Sequence, residues 1–140
     1  MNVDTSRILR AALIGAVVSS IANVLVWVIA QQIGLTLSVP AMDPSMADAN
    51  GLMQVSFIAV ILATAITTFI GGGVLAIFNR ISATPYRLFQ IVAAVFVVVS
   101  MAGVLGAPAN GDKIVLGIMH VIAGITAVWA FTTMTTQAKG

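Results

Sequence analysis

A chain of 140 residues with 60% hydrophobic residues, 7% charged residues and a mean hydropathy of +1.12 is not a water-soluble domain, which would carry about a quarter charged residues. The absence of cysteine excludes a disulfide framework, a thiol relay and thiolate metal sites. The pI near 9.7 arises from only six basic residues, and their positions at helix ends point to membrane topology rather than to a nucleic-acid partner.

The charged residues form five clusters: Asp4/Arg7/Arg10, Asp43/Asp48, Arg80/Arg87, Asp112/Lys113 and Lys139. Between them, residues 11–33, 51–78, 88–107 and 114–138 carry no charge. Each interval matches or exceeds a hydrocarbon slab of about 30 Å at about 1.5 Å per residue. These intervals predict an all-α, integral membrane, antiparallel four-transmembrane-helix bundle. It forms a single membrane domain over 1–140, with spans at about 9–33, 52–78, 87–107 and 113–136 and an outer loop over 34–51.

Arg7 and Arg10 resemble the basic region of a signal peptide. The apolar run behind them is longer than the usual 7–15 residues, however, and Ala30-Gln31-Gln32 offers no Ala-x-Ala site. The first span is therefore expected to remain uncleaved. Within it Ala11, Gly15, Ser19 and Asn23 recur every fourth residue, a small-residue stripe that lets helices approach. Trp27 lies about a turn too deep for an interfacial belt and is expected inside the bundle. The outer loop contains Pro40, an Asp43-Pro44 start signal and an Asn50-Gly51 stop signal. It reads equally as an irregular connection or as a short interfacial helix over 44–49, with Met42 and Met46 toward the headgroups.

In the second span Ala59, Ala63, Thr67 and Gly71 form another stripe, beside Thr64, Thr68, Gly72 and Ala76; both imply tight interfaces. Close contact is the favoured reading of Gly71-Gly72-Gly73, ahead of a hinge or kink. Thr84-Pro85 reads as an N-cap and a proline at the first helical position, opening the third span. Asn110-Gly111 reads as a turn, with Asp112 as a cap for the fourth. Thr132, Thr133, Thr135 and Thr136 read as a frayed interfacial end without a role.

Five basic residues fall on one side (Arg7, Arg10, Arg80, Arg87 and Lys139) against Lys113 on the other. The positive-inside bias then places both termini in the cytoplasm of a plasma-membrane, multi-pass protein. Tyr86 and Trp129 fall near the inner interface. No Asp, Glu, Lys or Arg lies within a span, which argues against proton-coupled pumps and most ion-coupled carriers.

The polar residues inside the spans are the functional clues. Below the outer boundary, His120 lies about 9 Å, Ser100 about 10 Å, Asn23 about 15 Å and Ser56 about 7 Å deep at 1.5 Å per residue. Asn23, Ser56, Ser100 and His120 are therefore expected to meet in the outer half of the bundle, one from each helix. Unpaired amides and imidazoles are costly in hydrocarbon, so a network centred on His120 and Asn23 follows. It reads first as interhelical glue, second as a small outward-facing pocket for a lipid headgroup or polar ligand, and third as a site where His120 is an axial ligand to a tetrapyrrole.

Asn23, Asn79-Arg80 with Pro85, Ser100 and Leu116-Gly117-Ile118-Met119-His120 together resemble a family of small bacterial four-span integral membrane proteins of unknown function. The resemblance covers nearly the whole chain and carries over no catalytic or binding residue. Small multidrug transporters depend on a first-span glutamate and quinone-linked thiol oxidoreductases on cysteine pairs; both features are absent here.

The expected function is an accessory, structural or partner-binding subunit without chemistry of its own. It would associate with lipid and with other membrane proteins or further copies of itself. The alternative is a transporter or small-ligand binder using the pocket around His120 and Asn23. An enzyme would need Asp43 or Asp48 to fold inward onto His120.

Overall fold

The computed structural model describes residues 3–41 and 43–136, so Met42 and Lys139 lie outside the described residues. Four helices dominate: α1 (Ile8–Gln32), α2 (Phe57–Ile81), α3 (Pro85–Leu105) and α4 (Asn110–Met134). Their 21 to 25 residues give lengths of about 31 to 37 Å. All four are long and apolar enough to cross a membrane. The fold is all-α except for a small antiparallel hairpin of β1 (Ser38–Pro40) and β2 (Leu52–Gln54).

Local chemistry sets each boundary. Asp4 caps a 3-10 turn ahead of α1, accepting from the Ser6 N–H at 3.0 Å and pairing with Arg7 Nε at 3.0 Å. The far end of α1 closes as a Schellman motif: Gly34 adopts φ +81°, its N–H bonds Gln31 O at 3.0 Å, and the Leu35 N–H bonds Ala30 O at 3.0 Å. A left-handed residue there favours glycine.

The uncharged interval predicted helix from residue 52, yet α2 begins at Phe57. Ser56 Oγ accepts the Ala59 N–H at 3.2 Å and fixes the N-cap. The preceding Leu52–Gln54 pairs with Ser38–Pro40 instead. Within the connection, the expected interfacial helix contracts to one 3-10 turn over Pro44–Met46, capped by Asp43. Asp48 accepts from the Asn50 and Leu52 N–H groups at 2.7 and 3.0 Å.

Pro85 opens α3 as expected, but the Thr84 side chain makes no cap bond; Ser82 Oγ accepts the Thr84 N–H at 3.1 Å. Nor does Asp112 cap α4, which starts at Asn110. Asp112 sits buried in the first turn and its carboxylate accepts the Ser38 N–H at 3.4 Å, tying β1 to α4.

Two apolar clusters hold the helices. One unites Ala30, Val60, Val104 and Leu116 beneath Leu37 of the hairpin connection. The other unites Ala11, Leu75, Phe89 and Phe131, with Phe89 and Phe131 edge to face at 5.4 Å. Beside the second cluster, Val3 pairs with Thr136, the Asp4 N–H donates to Thr135 O at 2.8 Å and Asn79 Nδ2 donates to Val3 O at 3.4 Å. Thr135 Oγ1 donates to Phe131 O, so its contact with Tyr86 at 3.0 Å is a bond donated by the Tyr86 hydroxyl. The threonine end of α4 is thus built into a clasp, with Thr135 fully buried.

The α1 stripe packs as its spacing implies: Ala11, Gly15, Ser19 and Asn23 are all buried. A Cβ on Gly15 would lie 3.1 Å from Ala130 Cβ. On α2 the two stripes diverge. Thr64, Thr68 and Gly72 are buried, whereas Ala63 and Thr67 are exposed. Gly71 and Gly72 press on Phe131, as the close-contact reading requires, but Gly73 meets nothing within 4 Å. The helix runs through all three glycines without interruption.

A candidate binding cleft between α2 and α3

The α2 stripe of Ala59, Ala63, Thr67 and Gly71, predicted to pack tightly, lines a cleft of about 410 Å³ instead. Small side chains leave room, and across from them α3 is the least buried helix, with only Pro85, Phe89 and Val104 enclosed. Its wall carries Val92, Phe96 and Ser100; α4 supplies a floor that includes Met119, His120 and Gly124. The rims at Ala63 and Thr67 on α2 and at Val92 and Phe96 on α3 are exposed, so the cleft opens sideways between these two helices.

Hairpin residues Val39 and Met53, with Val55, form one end of the cleft. They are held there by Asp112 on Ser38 and by Trp27, whose Nε1 donates to Val55 O at 2.7 Å. Trp27 packs against the first apolar cluster, consistent with a place inside the bundle. Near the other end stand Val74 and Phe89.

Three of the four residues expected to converge do share this cleft: Asn23, Ser100 and His120. Ser56 does not; it is the N-cap of α2 and exposed. Nor do the three form the expected mutual network. Asn23 Nδ2 donates to Thr64 Oγ1 at 3.1 Å, Ser100 Oγ donates to Val97 O at 2.7 Å, and His120 Nδ1 meets Leu116 O at 2.7 Å. Helical geometry explains the difference, because serine, threonine and histidine can each reach a carbonyl of the preceding turn. Thr64, Thr67 and Thr68 complete the polar lining, and sequence reasoning placed them only in packing stripes. The signal available for them was their spacing with Asn23 at matching depth.

Asn23 is 3% exposed, and its Oδ1 has no partner among the described residues. A buried acceptor left unpaired costs about 1 to 3 kcal/mol. Among the described residues none lining the cleft is charged. Asp43 and Asp48 are exposed, their carboxylates bonded to N–H groups of Ser45, Asn50 and Leu52. They supply His120 with no carboxylate contact. The arrangement can bind and orient an uncharged molecule.

The family model for a family of unknown function, DUF6069, matches residues 3–137, and the chain belongs to that family. Neither the curated proteins nor the solved structures yield a match.

Proposed function

Since membership of this family assigns no activity, we propose from the cleft itself that the protein is a membrane-embedded binding protein for a small, uncharged amphiphile. The observation that carries this reading is a mostly apolar cavity open toward the side of the bundle, with a few polar side chains, among them Asn23, Ser100 and His120, in its lining. A volume of about 410 Å³ lies within the range of small-molecule sites. A lateral opening between two apolar helices admits a molecule already dissolved in lipid. Charged solutes would lose hydration without a compensating charge.

The setting that goes with this reading is a bacterial plasma membrane, crossed four times by antiparallel helices with both termini cytoplasmic. Contacts of Gly15 with Ala130, Asn23 with Thr64 and Trp27 with Val55 support that order of the helices. The arginines of the N-terminal segment and of the second connection support the orientation.

A diazirine-bearing single-chain lipid tests the proposal in membranes. Labelling is expected on peptides containing Thr67 and Phe96, and Ala63→Phe, which fills the rim, is expected to suppress it. Uniform labelling of all lipid-facing helices, unchanged by Ala63→Phe, would contradict the proposal.

A second reading, an accessory subunit that binds a partner, draws support from the broad exposed surface of α3, which includes Val95, Val98 and Val99. Cross-linking through a photoreactive residue at position 98 tests it. A discrete protein adduct is expected, and lipid adducts alone would remove that reading.

A further inference from the structure

The polar atoms of the cleft are not a balanced mixture of donors and acceptors. Thr67 and Thr68 each donate their only hydroxyl hydrogen to a carbonyl of their own helix, at 2.7 and 2.8 Å, and Ser100 does the same at 2.7 Å. Toward the cleft these three hydroxyls can therefore only accept. Leu116 O is also an acceptor, so the 2.7 Å contact from His120 Nδ1 requires the proton on Nδ1. In the neutral ring Nε2 is then a bare acceptor. Asn23 Oδ1 also lacks a partner among the described residues, but it is closed off from the cleft. Against these stand two hydrogens that could be donated: the second on Asn23 Nδ2 and the Thr64 hydroxyl hydrogen, both at the Asn23–Thr64 bond.

We infer that the cleft selects a neutral amphiphile whose polar head donates hydrogen bonds, a long-chain alcohol or other hydroxyl lipid, with the hydroxyl directed at His120 Nε2. This rests on the binding reading above and adds the chemistry of the ligand. Ethers, esters and ketones of the same length present acceptors to acceptors and gain nothing from the polar wall. Ammonium groups donate, but among the described residues the lining has no carboxylate to offset the loss of their hydration. The occupant enters through the rim at Ala63 and Phe96 with its chain along Val92 and its head on the α4 floor.

Three probes of matched length, dodecanol, its methyl ether and 2-tridecanone, test the inference by calorimetry on the full-length protein in nanodiscs. Dodecanol is expected to bind about tenfold tighter than either other probe, the value of one hydrogen bond that replaces an unpaired acceptor. His120→Phe is expected to reduce that ratio to near one while leaving the ether's affinity within about twofold. The wild-type comparison stands on its own if the variant fails to fold. Equal affinities, or tighter binding of the ketone, would overturn donor selection while leaving the cleft as a binding site. Binding of no probe would overturn the binding reading and this inference with it. A Soret band in the purified protein would show His120 Nε2 bound to a metal and would also overturn the inference.

Discussion

Asn23 is a buried amide of α1 in the lining of the candidate cleft. Its amide makes one bond, to Thr64, and holds a second polar atom unpaired. Replacement by leucine removes a bond worth about 1 kcal/mol or less inside a membrane bundle, and also removes the unpaired acceptor. Asn23→Leu is therefore expected to leave the ligand-free protein within about 1 kcal/mol of the wild type in reversible detergent unfolding. A loss of about 3 kcal/mol would show that Oδ1 has a partner in the free protein. Asp4 and Asp43 provide a separate check outside the spans. Hydrogen bonds from the Ser6 side chain and backbone, with Arg7 adding to them, lower Asp4; those from the Ser45 backbone and side chain lower Asp43. A lowered folded pKa contributes stability above the unfolded value, and that contribution disappears as pH falls through the folded value. Asp43 is exposed and Asp4 partly so, and carbon NMR of the carboxyls is the appropriate measurement. Midpoints below the ordinary aspartate range are expected, and ordinary midpoints would contradict the two caps.

At the scale of elements, glycine positions separate tight from open helix faces. A Cβ on Gly124 would stand 2.5 Å from Val97 Cγ2, whereas one on Gly73 would meet nothing within 4 Å. Valine is stiff at χ1 and cannot easily yield, so Gly124→Ala is expected to separate α3 from α4 and cost about 1 to 3 kcal/mol. Gly73→Ala is expected to cost nothing, because alanine is the better helix residue. Equal effects in thermal unfolding would contradict this packing. The same contrast shows what the sequence could convey. The four charge-free intervals mark the helices, and the α1 stripe from Ala11 to Asn23 marks a real interface. Spacing alone could not reveal that the Ala63/Thr67 stripe faces empty space, since small residues serve close approach and cavities alike. The hairpin was hidden for a related reason: Leu52–Gln54 is apolar enough to merge with the helix behind it. Ser56, read as a buried network member, carried the ordinary signature of an N-cap before an apolar run. His120 and Ser100, expected to bond across helices, both line the cleft, but for each the carbonyl of the preceding turn is a nearer partner than another helix.

For the whole molecule, a cysteine-free chain allows single cysteines to report topology cleanly. Asn50→Cys in the hairpin loop is expected to react with an impermeant maleimide on intact cells, and Ala83→Cys between α2 and α3 only after permeabilisation. The reverse pattern would contradict the proposed orientation. A clasp of Val3, Asn79, Tyr86 and Thr135 closes one end of the bundle, and Trp27, Asp112 and the hairpin close the other. The α2–α3 cleft between these ends is left to accommodate an occupant. Native mass spectrometry of the protein released from gentle detergent tests this most directly. The account predicts a single neutral hydroxyl lipid bound to the wild type and lost from Ala63→Phe. Identical mass distributions for the two proteins, with only phospholipid adducts, would contradict it.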